Sequence, residues 1–202
     1  YKIMAKTFTY KLDGNLYINL TNKCSNACEF CVRNGKDTYY GNNLKLDYEP
    51  TATDVLESID FSKKYNEVVF CGFGEPTYRL QVLTEVAGAL KEKGYTVRLN
   101  TNGQGNLING FDITEELAKC IDKVNVSLNA PFAEEYQNIC HSVYGKKAFD
   151  ALIEFAENCK RKEIETVLSV VDCIGEKAVK ECKMLADEHG LNLKVRETIK
   201  DS

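Results

Sequence analysis

The feature that narrows this chain most is a regular alternation of two hydrophobic periods. Short apolar runs that read as buried strands lie at Asn15–Thr21, Glu67–Cys71, Thr96–Asn100, Lys123–Leu128, Glu165–Val171 and Asn192–Arg196. Between them come stretches with helical periodicity: Thr53–Lys64, opened by Thr51 or Thr53 as a cap; Tyr78–Lys93, ended by Gly94; Thr114–Cys120; Ala148–Lys162; and Glu176–Gly190. Strands separated by helices call for parallel pairing through right-handed crossovers. A complete eight-fold barrel typically takes about 250 residues. Six strands in 202 residues therefore predict an α/β fold of the partial (β/α)6, TIM-barrel type, with residues 1–202 as one domain. An open doubly wound sheet is the competing architecture. In both, ligands gather at the carboxyl ends of the strands.

One such end carries the densest chemistry in the chain. The first strand runs directly into Thr21-Asn22-Lys23-Cys24-Ser25-Asn26-Ala27-Cys28-Glu29-Phe30-Cys31-Val32-Arg33. Cys24, Cys28 and Cys31 stand at C-x3-C-x2-C spacing, and a helix would place all three on one face. Three thiolates this close can hold a cubic iron–sulfur cluster by three of its four irons, leaving one iron open. Four cysteines would close it. A structural zinc site needs a fourth ligand, and the histidines, His141 and His189, are far away in sequence. The other six cysteines form no C-x-x-C pair. Cys71, Cys120, Cys140, Cys159, Cys173 and Cys182 read as buried thiols acting as small hydrophobes.

Composition excludes several classes. Hydrophobic content of 44% and charged content of 28% are those of an ordinary globular protein. No apolar run approaches the roughly 20 residues that span a bilayer, and no secretory signal is visible. A net charge of −4 gives no basic footprint for sequence-independent nucleic-acid binding. An odd count of nine cysteines without an export signal favours a reducing cytoplasm. Met4 is a candidate start.

Other strand ends are polar or glycine-rich. Cys71-Gly72-Phe73-Gly74-Glu75-Pro76 lets the backbone turn sharply and approach a ligand without a Cβ in the way. Pro76 suits the first turn of the following helix, which sets Glu75 near a positive helix end and toward the site. Asn100-Thr101-Asn102-Gly103 and Ser127-Leu128-Asn129-Ala130-Pro131 supply short polar side chains, though such residues are also the commonest turn formers. Arg196, ending the last strand, is placed to pair a carboxylate or to sit as a surface charge.

Cys24, Cys28 and Cys31, with Phe30 before the third cysteine, resemble the signature of radical S-adenosylmethionine (SAM) enzymes. Leu16–Asn22, Gly72–Pro76, Leu99–Gly103, Ser127–Pro131 and Val170–Asp172 extend the resemblance to a subfamily associated with TatD-type nucleases. The resemblance implies a [4Fe–4S] cluster on Cys24, Cys28 and Cys31 and a SAM molecule chelated to its open iron. It implies contacts to SAM from Phe30, Gly72, Phe73, Gly74, Glu75, Asn102, Ser127, Asn129, Val170, Asp172 and Arg196. The family's usual Gly-Gly-Glu-Pro reads Phe73-Gly74-Glu75-Pro76 here. The implied reaction is reductive cleavage of SAM to a 5′-deoxyadenosyl radical that takes hydrogen from a substrate, with flavodoxin or ferredoxin as electron donor. Activation of another protein as a glycyl-radical enzyme shares the motif. A non-catalytic iron–sulfur or zinc protein serving a nuclease is the reading from a different class. With the chain ending at Ser202, soon after the last strand, the barrel mouth is expected to admit a macromolecular segment, with Asn34–Pro50 ordering over it.

Overall fold

The computed structural model describes residues 7–199. Nine strands occur among them: Thr9–Leu12 (β1), Asn15–Ile18 (β2), Thr38–Tyr39 (β3), Asn42–Asn43 (β4), Val68–Phe70 (β5), Val97–Thr101 (β6), Lys123–Ser127 (β7), Glu165–Val171 (β8) and Asn192–Arg196 (β9). Seven form one sheet in the order β1-β2-β5-β6-β7-β8-β9, and β3 pairs only with β4. Within the seven-stranded sheet every pairing from β2 onward is parallel. These are the strands the sequence predicts, in sequence order, as successive right-handed units require. The architecture is the partial (β/α)6 barrel. Residues 1–6 and 200–202, with Met4 and Ser202, lie outside the described residues.

β1 is an addition to the prediction. It forms an antiparallel hairpin with β2 across Asp13 and Gly14, both at positive φ. The helices are Ala52–Glu57 (α1), Leu80–Glu92 (α2), Gly105–Asn109 (α3), Thr114–Ala118 (α4), Ala133–Cys140 (α5), Lys147–Arg161 (α6) and Glu176–Glu188 (α7). α1 begins with a Thr51/Asp54 capping box and stops at Glu57, well short of Lys64. Beyond it, Asp60 accepts from the Ser62 backbone and hydroxyl, the local bonding by which Asp and Ser compete with a helix.

Register divides the sheet into two chemically different faces. Val68, Phe70, Val97, Leu99, Val124, Val126, Leu168 and Val170 face the helices and join one core with Leu83, Val86, Leu90, Leu117, Leu152 and Phe155. At about 1.5–3 kcal/mol for each fully buried side chain of this size, that layer carries the fold. The residues between them share the opposite, concave face: Arg98 pairs with Lys123, Asn100 with Asn125, Ser127 with Ser169, and Val171 with Arg196.

The Asn34–Pro50 segment is docked rather than open. Asn19 Nδ2 donates to Leu44 O at 2.7 Å, Asn22 exchanges two bonds with Leu46, and Thr21 Oγ1 donates to Glu49 Oε1 at 2.6 Å. Leu44 is buried beside Tyr10 and Phe73, and Tyr39 from β3 packs on the same small cluster. The segment is thus held against the sheet end by contacts within the protein.

Candidate metal centre

The three cysteines lie on turns and irregular backbone, not on a helix. Arg33 holds the loop's shape: its Nη1 donates to Asn22 O at 3.0 Å and its Nη2 to Asn26 O at 3.0 Å. Asn34 Nδ2 donates to Cys28 O and Glu29 O, each at 2.9 Å. All three cysteines are half-buried.

Two other segments brace this loop. Gly74 presses against its start, where a Cβ would lie 2.3 Å from Thr21 O and 2.5 Å from Lys23 O. Those are backbone atoms that cannot move aside, so only glycine fits; Glu75 N then donates to Lys23 O at 2.7 Å. A Cβ on Gly72 would meet Asn19 Oδ1 at 2.4 Å. On the other side Ala27 N donates to Cys140 O, Glu29 N to Ile139 O, and Val143 N to Ser25 O. The loop therefore runs alongside the end of α5 by main-chain bonds.

A buried polar network fixes the same junction. Tyr136 Oη accepts from Asn26 Nδ2 at 3.0 Å and from Gln104 Nε2 at 2.8 Å, and Gln104 Oε1 accepts from Ser142 Oγ at 2.9 Å. Asn102 adds bonds from its Nδ2 to Ser25 Oγ at 2.9 Å and to Cys24 Sγ at 3.9 Å. Asn26 N also donates to Cys24 Sγ, at 3.5 Å. None of Gln104, Tyr136 and Ser142 was singled out by the sequence. Their role depends on contacts between residues 32 to 110 positions apart, for which local pattern holds no signal.

Burial pushes the Cys24 thiol up to about 12 and raises Cys31 as well. The neighbouring Cys140 thiol, together with burial, raises Cys28, while the proximity of Cys28 lowers Cys140. The Arg33 charge favours the thiolate form of all three motif cysteines. Cys140 is thus a fourth thiol at the site, a place that the sequence had given to no cysteine outside the motif.

The donor set discriminates between metals. Among the described residues no three Cys, His, Asp or Glu side chains gather to hold one metal ion, which a single zinc requires. A cluster asks for something else: thiolates spread along one loop, each able to reach its own iron, with N–H groups directed at sulfur. The cysteine loop and the Asn26 and Asn102 donors have that character.

Glu75 sits at the positive end of the next helical turn, as expected, but most of its acceptor capacity is used within the protein. It is 3% exposed and caps the 3-10 turn Pro76–Arg79. Its Oε1 accepts from Thr77 N at 3.2 Å, Thr77 Oγ1 at 2.8 Å and Thr101 Oγ1 at 2.6 Å, and its Oε2 from Asn102 N at 2.7 Å. Burial raises its carboxyl above the usual range, with these bonds opposing. Only Oε2 keeps room for a further donor. The Phe73 carbonyl accepts from Arg33 Nη1 at 3.4 Å.

The remaining predicted residues fall into three groups. Ser127 and Arg196 project from the concave face. Asn129, at φ 63°, is buried beside the site with its Nδ2 donating to Cys140 Sγ at 3.6 Å and its Oδ1 unpartnered. Val170 packs its side chain into the hydrophobic core, so it has only backbone to offer, and Asp172 accepts from Thr198 N at 2.9 Å. Phe30 is half-exposed on the cysteine loop. Of the six cysteines read as buried, Cys71 is half-buried on the concave side and Cys173 is exposed on a 3-10 turn. His141, at the end of α5, lies 3.5 Å from Glu29.

Comparisons with known proteins place the chain in a family. The chain is 31% identical over 144 residues to a protein of Thermococcus kodakarensis assigned as a GTP 3′,8-cyclase, covering 71% of this chain and 42% of that one. It is 24% identical over 147 residues to a Methanocaldococcus jannaschii protein assigned as a glycyl-radical enzyme activating enzyme, covering 70% and 54%. The chain thus spans about half the length of the curated relatives it matches. Among solved structures, Streptococcus suis SuiB bound to its precursor peptide SuiA superposes with TM-score 0.70 at 18% identity, over 95% of this chain and 41% of that one. The protein anSMEcpe with bound SAM gives 0.67 at 19%, over 91% and 50%. These two likenesses concern the fold. The model of the radical SAM superfamily, whose members use a [4Fe–4S] cluster and SAM, matches residues 18–186, and the chain belongs to that superfamily.

Proposed function

We propose that this chain is the catalytic core, one domain over residues 1–202, of a radical SAM enzyme. The observation that carries the reading is a half-buried three-cysteine loop braced by the Gly72–Pro76 turn and by α5, at the carboxyl ends of a parallel sheet. Cys24, Cys28 and Cys31 are the thiolates that hold the cluster. A cluster held there would supply the one-electron reduction by which the family cleaves SAM.

The chain's own residues orient and shelter. The Asn26 amide and Asn102 Nδ2 direct N–H groups at the sulfur of Cys24. The backbone of Gly72, Phe73 and Gly74 and the free side of Glu75 Oε2 are offered to the SAM ammonium, a charge-assisted contact. Ser127 and Asn129, whose Oδ1 is unpartnered, are offered to ribose or carboxylate. Phe30, Asn102 and the backbone of Val170–Asp172 complete the cofactor contacts. Arg196 belongs elsewhere, as argued below.

Flavodoxin or ferredoxin is the electron donor we infer, and a reducing cytoplasm the setting. No helix among the described residues is long and apolar enough to cross a membrane. The TatD-nuclease association remains our reading of sequence resemblance alone. Substrate class differs between the two curated relatives, one named for a nucleotide and one for activating a protein. A non-catalytic interaction protein would have no use for the unpartnered polar atoms of the concave face.

The test is anaerobic reconstitution. We expect about four irons and four sulfides per chain and 5′-deoxyadenosine on reduction with SAM. Alanine at Cys24, Cys28 or Cys31 should abolish the cluster; alanine at Cys140 should not. A single zinc as the native metal, or iron retained by the triple alanine variant, ends the proposal.

A further inference from the structure

The concave face of the sheet is polar where a packed barrel is filled by branched apolar side chains. At its floor, Glu67 pairs with both Arg98 (3.0 Å) and Lys123 (2.8 Å). Toward the carboxyl ends this balance disappears. Lys194 stands opposite Ser169, and Arg196 opposite Val171, on the same face. Neither cation has a carboxylate partner among the described residues. Arg196 Nε is buried without any hydrogen-bond acceptor. Ser169, fully buried, has an unpartnered Oγ, and Asn125, 8% exposed, an unpartnered Oδ1.

The groups nearest Arg196 do not neutralise it. Its charge reaches the Cys71 thiol and the Tyr39 phenol. Burial raises Cys71 and pushes Tyr39 up to about 12, so both are neutral at pH 7. Within the radical SAM reading, the SAM carboxylate would have the open iron, Ser127 and Asn129 as partners, and its sulfonium and nucleoside would bring no further negative charge to Arg196.

We propose that the substrate carries an anionic group, carboxylate or phosphate, bound inside the barrel mouth by Arg196 and Lys194. The assignment rests on the radical SAM reading for the word substrate, but the anion site rests only on the sheet. The Arg196 fork supplies two parallel N–H donors, the geometry that matches either oxyanion. Ser169 Oγ–H is the nearby neutral donor on the adjacent strand. Tyr39, on the β3–β4 hairpin, lies within electrostatic range of the same guanidinium. The substrate's reacting carbon then lies between this anchor and the cysteine loop.

The experiment uses the full chain, anaerobically reconstituted and saturated with SAM. Equilibrium dialysis at low ionic strength compares inorganic phosphate, succinate and, as an uncharged control, glycerol. We expect saturable binding of at least one anion and none of glycerol. Affinity should fall about tenfold in Arg196→Gln and about threefold in Lys194→Gln, recover in part in Arg196→Lys, and stay put in Lys180→Gln on the outer helix. The tighter of phosphate and succinate identifies which oxyanion the site is built for. Absence of saturable anion binding to the wild-type protein overturns the proposal, as does equal binding by Arg196→Gln. A loss of SAM affinity in Arg196→Gln matching its loss of anion affinity returns the residue to the cofactor and also overturns it. If the wild type binds anions but forms no 5′-deoxyadenosine, the radical reading fails and the anion site stands.

Discussion

The two faces of one sheet divide the labour of this molecule. The face toward the helices is apolar, closed and continuous, with Val68, Phe70, Leu99, Val126 and Leu168 at or below 1% exposure. The concave face is interrupted by amide, hydroxyl and cationic groups, several of them without partners. A protein that needed both faces for stability would have filled both. Here the outer layer holds the fold, and the inner one is left to bind.

Substitutions can break that contrast. Phe70→Ala removes a fully buried ring from the outer layer and should cost about 3–5 kcal/mol in urea unfolding. A loss below about 1 kcal/mol would mean the outer layer is not what holds the sheet. Gly74→Ala drives a Cβ into Thr21 O and Lys23 O; strain of about 1–3 kcal/mol is expected, expressed as poorer iron loading with most of the stability retained. Glu67→Ala, at the floor of the concave face, unpairs Arg98 and Lys123, whose side chains are 17% and 36% exposed. With that exposure the cost should be about 2 kcal/mol, below the 3–5 of a fully buried pair. Ser169→Ala should change stability by less than about 0.5 kcal/mol, because its hydroxyl bonds nothing in the protein. A large loss at Ser169 would show that the inner face also holds the fold.

Glu75 marks the boundary between the two roles. Its four bonds tie the Gly72–Pro76 turn to the end of β6, so Glu75→Ala would test folding and cofactor binding at once. Glu75→Gln keeps the shape and most acceptors, and is expected to weaken SAM binding by roughly tenfold with cluster content unchanged, as loss of a charge-assisted bond would.

Much of this was readable in the chain. The six parallel strands follow from apolar runs bounded by helical periods, and the cysteine loop follows from its spacing. Even the polar inner face has a signature: Val97-Arg98-Leu99-Asn100 and Lys123-Val124-Asn125-Val126 alternate, whereas parallel strands covered on both faces read as unbroken apolar runs. Other features had weaker signals. β1 and the β3–β4 hairpin are two to four residues per strand, too short for a period to declare itself. α5 begins after Pro131-Phe132 without a side-chain cap bond. The link from Cys28 to Cys140, and from Asn26 to Tyr136, joins residues that nothing local relates.

That link has a consequence for the order of assembly. The loop that bears Cys24, Cys28 and Cys31 is synthesised well before its main-chain partners, Ile139, Cys140 and Val143. Until α5 has been made, the loop has neither its flanking backbone nor the Tyr136 hydroxyl to settle against. Closing so long a segment is entropically costly and slow compared with forming the local helices. Iron delivered to a nascent chain would therefore meet three cysteines without a frame. On the proposed reading, the site would become a competent receptor for metal only once the chain through α5 has folded, and cluster insertion would be a late, post-folding event rather than a nucleus for the fold.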